Sequence, residues 1–132
     1  MPRIPAINSV MTAFPYFIDA DARMSAAETM LKQFRIHQLA VREGDKIVGV
    51  VSDRDLKRAQ ALGHGHSGRD TRVGDVCTRE VYVVGPDEPL DAVLTRMAET
   101  RTDVVCIVKD EKLAGIFTFT DACRRFAALL RS

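Results

Sequence analysis

Apolar side chains recur at helical spacing in two segments of the chain. The spacing predicts one helix over residues 25–35 and another around residues 90–97. The stripe positions are Ala27, Leu31 and Phe34 in the first helix, and Leu90, Val93, Leu94 and Met97 in the second. Ser25, with Glu28 three residues later, predicts a capping box for the first helix, and Asp91 takes the equivalent cap position in the second.

Short apolar runs bounded by polar turns predict two strands after each of these helices. The strands are expected at residues 38–42 and 47–51, and again at residues 104–108 and 113–117. A short extended piece precedes each helix, at residues 17–18 and 81–84, and a closing helix is expected to begin near Asp53 or Phe119. The second closing helix has an apolar side that is expected to pack against the core, with the members Phe119, Cys123, Phe126 and Leu130.

The whole pattern occurs twice at a constant offset of 66 residues, without a gap, as from Asp55 to Asp121. Such duplication is typical of an architecture built from repeated units. Because a half of this size buries too little surface to be stable alone, the two halves are expected to share one core around an approximate twofold axis. The sequence therefore predicts an α+β fold of two tandem βαββα-type repeats, at residues 1–62 and 71–132, joined by a connector loop at residues 63–70.

Each copy carries the motif G-h-h-[ST]-x-x-D at the end of its last strand, where h is an apolar residue. Residues 49–55 read GVVSDRD and residues 115–121 read GIFTFTD. The glycine is expected to let a ligand approach the strand, and the free N–H groups of the next helix favour a phosphate. The Asp can accept hydrogen bonds from the vicinal hydroxyls of a ribose. Since the same spacing also describes a capping box that only starts a helix, the residues alone leave both interpretations open.

Composition and charge restrict the class of partner. The 132 residues include 19 Lys and Arg against 18 Asp and Glu, a net charge of +1, so nonspecific binding to nucleic acid is not expected. No apolar run is long enough to cross a bilayer, and none looks like an export signal, so no membrane association is expected. Three unpaired cysteines indicate a reducing compartment, and the expected location is the cytoplasm.

The two copies resemble the CBS domain family, in which two tandem repeats form a CBS pair, also called a Bateman module. The resemblance covers nearly the whole chain, from about Ser9 to Leu130, and includes the repeat start VMTAFP at residues 10–15. It implies a stand-alone regulatory protein that binds AMP, ADP, ATP or S-adenosylmethionine in clefts between the repeats and requires no other cofactor. It also implies a homodimer, and a regulated protein that the sequence does not identify.

The resemblance also assigns roles to individual residues. Asp55 and Asp121 would bind the ribose hydroxyls. The residues expected beside the ribose or phosphate are Ser52, Thr118, Thr12 and Thr78. Arg54 matches a phosphate-binding arginine, whereas the second copy has Thr120, so the Arg54 site is expected to suit a polyphosphate better. The residues expected around the base are Ala13, Phe14, Phe17, His37, Gln38, Leu39, Val81, Tyr82, Asp103 and Val104.

Several other residues allow two interpretations. His37 could face a ligand phosphate or be a half-buried polar residue, and Arg58 could neutralise a phosphate or belong to a solvated helix face. His64 and His66 could share a metal ion, but no further ligand stands nearby, so an exposed loop is expected and no metal site is predicted. The sequence departs from the usual family pattern where Ala40 and Cys106 replace a proline and Cys77 replaces a methionine, which leaves the choice of ligand open.

Three functional hypotheses follow. The leading one is a ligand-binding regulatory module that is not an enzyme. The second is a structural dimerisation module whose nucleotide sites are inactive. The third is a small enzyme. The sequence has no nucleophile and base at a recognisable spacing to support it, because the three cysteines are expected to pack in the core.

Overall fold

Helices and strands follow one another in the same order in both halves of the chain. The computed structural model describes residues 3–63 and 71–132. Its elements are a 3-10 helix Ile7–Ser9, β1 Thr12–Ala13, β2 Phe17–Asp19, α1 Met24–Phe34, β3 Gln38–Glu43, β4 Lys46–Ser52, α2 Asp53–Ala61, α3 Val73–Val76, β5 Tyr82–Val84, α4 Leu90–Thr100, β6 Val104–Lys109, β7 Lys112–Thr118 and α5 Phe119–Arg131. The predicted α+β repeat is confirmed, and the four long strands were predicted to within one residue at each end.

The chain packs as two compact units that do not follow the order of the sequence. The continuous unit is Tyr16–Val81, and the split unit combines the residues up to Pro15 with Tyr82–Ser132. The start of each repeat therefore packs with the body of the other repeat. These packing units differ from the sequence repeats predicted at residues 1–62 and 71–132, whose boundaries stay a prediction. Most of the predicted connector lies outside the described residues.

In the continuous unit, three strands form a sheet in the order β2-β3-β4. Strand β2 runs parallel to β3, and β3 runs antiparallel to β4. The start of the second repeat adds to the free side of β4, where Thr78 and Val50 exchange two backbone hydrogen bonds of 2.9 Å. The sheet packs against α1 and α2 over a core that includes Ala27, Leu39 and Val51, each with no exposed surface.

In the split unit, four strands form a sheet in the order β1-β7-β6-β5. Thr12 of β1 lies opposite Ile116 of β7, which is the same register, 66 residues apart, as that of Thr78 and Val50. The core of this unit includes Ile7, Val93 and Phe117, each fully buried. Each unit has its own hydrophobic cluster, and the predicted common core and twofold relation of the halves stay predictions.

Two helices do not use the N-caps that the sequence predicted. Helix α1 has Arg23 as its N-cap, without a side-chain cap, and α4 has Pro89, so the cap roles predicted for Ser25 and Asp91 are wrong. The reason is that backbone carbonyls from the repeat starts satisfy the first helical N–H groups. Met24 donates to the Thr71 carbonyl at 3.1 Å, and Leu90 donates to the Pro5 carbonyl at 2.9 Å.

The apolar side of α5 does not pack against a core. None of the residues of α5 is buried, and Cys123 is exposed. The large apolar side chains of α5 keep 60% to 71% of their surface exposed, and they are Phe119, Phe126, Leu129 and Leu130. The predicted packing of this helix is therefore wrong within the chain, because only the partly buried Ala122 meets the hydrophobic cluster of the split unit.

The two motif glycines make room for the repeat starts. A Cβ atom at Gly49 would lie 2.7 Å from the Thr78 carbonyl oxygen and 2.8 Å from the Cys77 sulfur. A Cβ atom at Gly115 would collide with the Met11 side chain, 2.8 Å from its Cγ. The prediction that these glycines open the strand to a ligand is wrong, because the repeat starts of the chain itself occupy the space where a Cβ atom would lie.

We expect Gly49→Ala to lower the free energy of unfolding by about 1–3 kcal/mol, because its methyl group would push against a backbone carbonyl held by two hydrogen bonds. Gly115→Ala is expected to lower it less, since the flexible Met11 side chain can move aside. Urea denaturation measures both. Gly85→Ala is the matched control, because a Cβ there meets nothing within 4 Å; equal losses in the Gly49 and Gly115 variants would contradict the argument.

Candidate functional site

Each motif forms a complete capping box at the point where a strand passes into a helix. In the continuous unit, the Ser52 N–H donates to Asp55 Oδ2 at 2.9 Å, and the Asp55 N–H donates to Ser52 Oγ at 3.1 Å. In the split unit, Thr118 and Asp121 exchange the same two bonds at 2.9 and 3.1 Å. The structural interpretation of the motif is therefore confirmed, and the hydroxyl and the carboxylate are held rigidly together at each helix start.

The hydroxyl of Thr78 reaches the same carboxylate from the start of the second repeat. Thr78 Oγ1 donates to Asp55 Oδ1 at 3.1 Å, so both Asp55 oxygens accept a hydrogen bond within the chain. Asp55 is only 9% exposed. A carboxylate buried to this degree needs such donors, because an unpaired buried charge is costly. Ser52, Asp55 and Thr78 thus form one polar cluster, the Asp55 site.

The corresponding cluster in the split unit is more open. Asp121 keeps 23% of its side-chain surface exposed, and its Oδ1 lies 3.9 Å from the guanidinium of Arg124. Thr12 corresponds to Thr78 and is exposed on β1. It lies opposite Ile116 of β7, two residues before Thr118. Thr118, Asp121 and Thr12 are called the Asp121 site below. Its carboxylate has spare acceptor capacity at Oδ1.

A small cavity opens next to Asp55. It has a volume of about 170 Å³ and is lined by Asp55, Arg58, Ala59, Leu62, Asp75 and Val76. This is below the roughly 300–1,000 Å³ of ordinary small-molecule sites, so the cavity could take a phosphate or part of a sugar but not a whole nucleoside. Asp75 and Val76 could not be assigned to this site from the sequence, because they precede Thr78 and only the packing of α3 on α2 brings them there.

His37 pairs with the first residue of α2. Its Nδ1 lies 2.9 Å from Asp53 Oδ2, and the hydrogen bond to His37 holds the pKa of Asp53 below its usual range. His37 is an exposed side chain rather than a half-buried one. The Asp53 N–H also donates to the His37 carbonyl at 3.2 Å, and at the matched positions of the split unit the Phe119 N–H donates to the Asp103 carbonyl at 2.8 Å.

Other predicted site residues differ in how accessible they are. Leu39 is fully buried in the core, so it could offer a ligand only its backbone. Gln38, Val81 and Val104 are half-buried, whereas Arg54 and Ala13 are exposed.

The predicted aromatic residues lie at three different places. Phe14 is 96% exposed and has a φ of 52°, a left-handed conformation that is unusual for a side chain of its size. One face of the Phe17 ring is covered by the Arg42 guanidinium, 3.5 Å from the ring centroid. Tyr82 lies in the split unit, where the Arg96 guanidinium is 5.2 Å from its ring, so it belongs to a different unit from the Asp55 site.

Potential metal ligands and apolar helices can be located only in the described part of the chain. No cluster of three or more potential metal ligands occurs within residues 3–63 and 71–132. The His64 and His66 pair lies outside the described residues. Among the helices of the described part of the chain, none combines the length and apolar character needed to cross a bilayer.

The Thr78 hydrogen bond can be tested by removing only the hydroxyl group. We expect Thr78→Val to lower the free energy of unfolding by about 1–2 kcal/mol, because a buried carboxylate loses one donor. The matched control is Thr12→Val, which occupies the same strand register but is expected to change stability by less than about 0.5 kcal/mol. Urea denaturation at neutral pH measures both, and an equal loss in the two variants would contradict the difference between the sites.

A model of the CBS domain matches the chain twice, at residues 7–62 and 73–128. Among curated proteins, YlbB of Bacillus subtilis is 30% identical over 118 residues, which cover 87% of this chain and 78% of that protein. L-aspartate semialdehyde sulfurtransferase of Methanocaldococcus jannaschii is 31% identical over 104 residues, or 78% of this chain and 19% of the enzyme. The chain spans about a fifth of the length of the first curated relatives that it matches.

Solved structures with the same fold include complexes with adenosyl compounds. A structure assigned to the acetoin utilization protein AcuB of Vibrio cholerae superposes with a TM-score of 0.86 at 22% identity, over 98% of this chain and 95% of that one. The CBS domain pair of protein MJ0100, solved with 5′-methylthioadenosine and S-adenosyl-L-methionine, gives 0.82 at 24% identity, over 96% and 98%. CBSX2, solved with AMP, gives 0.76 at 25% identity, over 94% and 97%.

These findings agree with the duplicated motif and with the resemblance drawn from it. The two family matches together span most of the chain and coincide with its two copies of the helix and strand pattern. The chain therefore belongs to the CBS domain family and is a pair of tandem CBS domains.

Proposed function

We propose that this CBS pair is a regulatory module that binds an adenosyl compound at the Asp55 and Asp121 sites. AMP, ADP, ATP and S-adenosylmethionine are the candidate ligands, and the occupied module would report energy or metabolite state to a partner protein in the cytoplasm. The observation that carries the proposal is the pair of carboxylate and hydroxyl groups held at two matched helix starts. The CBSX2 complex with AMP, from a relative of the same fold, supports the choice of ligand class.

The chemistry of each helix start suits a sugar phosphate. Each carboxylate oxygen has two lone pairs, and the capping box uses one of them on Oδ2, so a ribose hydroxyl can still donate to either oxygen. The helix dipole at the starts of α2 and α5 favours a phosphate nearby. Arg54, exposed one position before Asp55, can add a charge-assisted bond to that phosphate.

The adenine ring would lie against apolar surface beside each carboxylate. In the continuous unit, the half-buried Val81 follows Thr78, and Gln38 begins β3 next to the His37 carbonyl. Backbone groups in such strand ends can read the edge of the base, while the apolar side chains cover its faces. In the split unit, Val104 is the position matched to Gln38, and Ala13 follows Thr12.

We propose no catalytic role for the chain. Burial raises the pKa of the Cys106 thiol to about 11 and also raises that of Cys77, so neither is a thiolate at neutral pH. Cys123 is exposed on α5, five residues after Thr118. Enzymes among the relatives are about five times longer than the matched segment, so their chemistry is not carried over to this chain.

A structural module without ligands is the second candidate. The observation in its favour is that both capping boxes satisfy their own polar groups, as a purely structural helix start would. The two candidates differ in one measurable property, which is binding of adenosine compounds at the carboxylates.

We expect Asp55→Ala and Asp121→Ala each to weaken AMP binding at the substituted site by about tenfold to a hundredfold, through loss of charge-assisted hydrogen bonds. Isothermal titration calorimetry with AMP on each variant measures this. Asp91→Ala, which removes another first-turn helix carboxylate, is the matched control and should bind AMP like the unaltered protein. Thermal melting of each variant separates lost binding from lost folding. Unchanged affinity in both folded variants would favour the structural module.

We also propose that the chain forms a homodimer through α5. The exposed side chains Phe126, Leu129 and Leu130 give the last turns of this helix an apolar face that its own unit leaves uncovered. Contiguous exposed apolar patches of this kind mark interaction surfaces, and the family resemblance favours a second copy of the chain as the occupant.

Phe126→Glu combined with Leu130→Lys is expected to convert the dimer into a monomer, because charged groups would then have to be buried at the interface. Size-exclusion chromatography with light scattering measures the mass of each species. Leu62→Glu is the control, since Leu62 is similarly exposed but lies on a different helix end. A dimer that persists in the double variant, or a monomer before substitution, would contradict the proposal.

A further inference from the structure

The two sites have the same backbone but different side chains at their entrances. The backbone contact that joins the strand start to the helix start is present in both, from the Asp53 N–H to the His37 carbonyl at 3.2 Å and from the Phe119 N–H to the Asp103 carbonyl at 2.8 Å. At these matched positions, the Asp55 site has the imidazole of His37 and the Asp121 site has the carboxylate of Asp103. A ligand placed identically on the two frames would therefore meet different charges.

Several cationic groups lie at the Asp55 site, although the carboxylate of Asp75 also lines its cavity. Arg54 is exposed in the first turn of α2, and Arg58 lines the cavity beside the carboxylate. Lys57 is close enough to help lower the pKa of Asp53, and His37 holds that same carboxylate in a hydrogen bond. Because the Asp53 charge is already paired, the remaining cations are available to an anionic group at this helix start.

The Asp121 site differs from the Asp55 site at three matched positions, although Arg124 stands where the other site has Arg58. Phe119 takes the place of Asp53 and is 60% exposed, and Thr120 takes the place of Arg54. Asp103 is exposed where the other site has His37. Arg124 lies 3.9 Å from Asp121 and so balances the charge of that carboxylate. A phosphate here would face Asp103 without an arginine in the first turn, which is unfavourable.

We infer that the two sites take different classes of adenosyl ligand. The Asp55 site takes a phosphorylated nucleotide, and the Asp121 site takes an uncharged adenosine derivative with an apolar 5′ substituent, such as a nucleoside thioether. The inference rests on the proposed function, because it assumes that both carboxylates hold a ribose. The exposed Phe119 ring offers the thioether a favourable sulfur–aromatic contact, and the spare capacity of Asp121 Oδ1 is available to the ribose.

The test compares two probes that differ only at the 5′ position, AMP and 5′-methylthioadenosine. Calorimetry gives affinity and stoichiometry, and backbone amide shifts of residues 52–55 and 118–121 identify the site that responds. We expect the thioether to bind once per chain and shift residues 118–121 first, whereas AMP shifts residues 52–55 first. The ratio of the two affinities should differ between the sites by at least about tenfold, as expected for one charge-assisted hydrogen bond.

Exchange of residues between the Asp55 site and the Asp121 site gives a matched pair of variants. Arg54→Thr should weaken AMP binding at the Asp55 site by about tenfold and change the thioether affinity by less than threefold. Thr120→Arg combined with Asp103→His should strengthen AMP binding at the Asp121 site by a similar factor. All three positions are exposed, so the variants are expected to fold, and thermal melting checks this.

The outcomes separate the inference from the proposed function. If both probes bind but show the same preference at both sites, or if the exchanged residues leave the AMP affinities unchanged, the inference fails and the proposed function stands. If neither probe binds to the unaltered protein, the proposed function fails and the inference fails with it.

Discussion

The structure depends on the pairing of each repeat start with the last strand of the other repeat's body. Thr78 and Val50 exchange two backbone hydrogen bonds, and Thr12 lies opposite Ile116 in the same register. The pairing is close enough that only glycine fits at the next position of β4, because a side chain there would overlap the Thr78 carbonyl. It also brings the Thr78 hydroxyl to Asp55, so the same contact that completes the sheet supplies one member of the polar cluster.

The motif carboxylate can cap its helix and bind a ligand at the same time. The capping box uses one lone pair of Oδ2 and the carboxylate retains others, so a residue that starts a helix can also accept ribose hydroxyls. A structural role is therefore no argument against a ligand. It even fixes the carboxylate in one rotamer, which lowers the entropy that a ligand would otherwise have to remove on binding.

The element boundaries that depend on local sequence patterns, and the equivalence of the two copies, could be predicted from the sequence. The strand starts at Gln38 and Val104 and the helix starts at Asp53 and Phe119 follow from alternation, turn residues and the capping motif. The caps of α1 and α4 could not be predicted, since carbonyls of Thr71 and Pro5, distant in sequence, satisfy N–H groups at their starts. The joining of Thr78 to Asp55 was equally hidden, because an offset of 66 residues relates equivalent positions and does not reveal which segments exchange partners.

The apolar face of α5 was misread for a related reason. Amphipathic spacing shows that a helix has an apolar side, but it does not say whether the cover comes from the same chain or from another molecule. α2 begins with the same capping box and buries Leu56 and Ala59, whereas α5 buries none of its residues. After duplication, one copy of the closing helix thus kept a packing role in its own unit, while the other kept an apolar surface that the unit does not use. Since the backbone frame at both helix starts is the same, the divergence of the two copies is confined to side chains, which is where differences in ligand and partner can arise without cost to the fold.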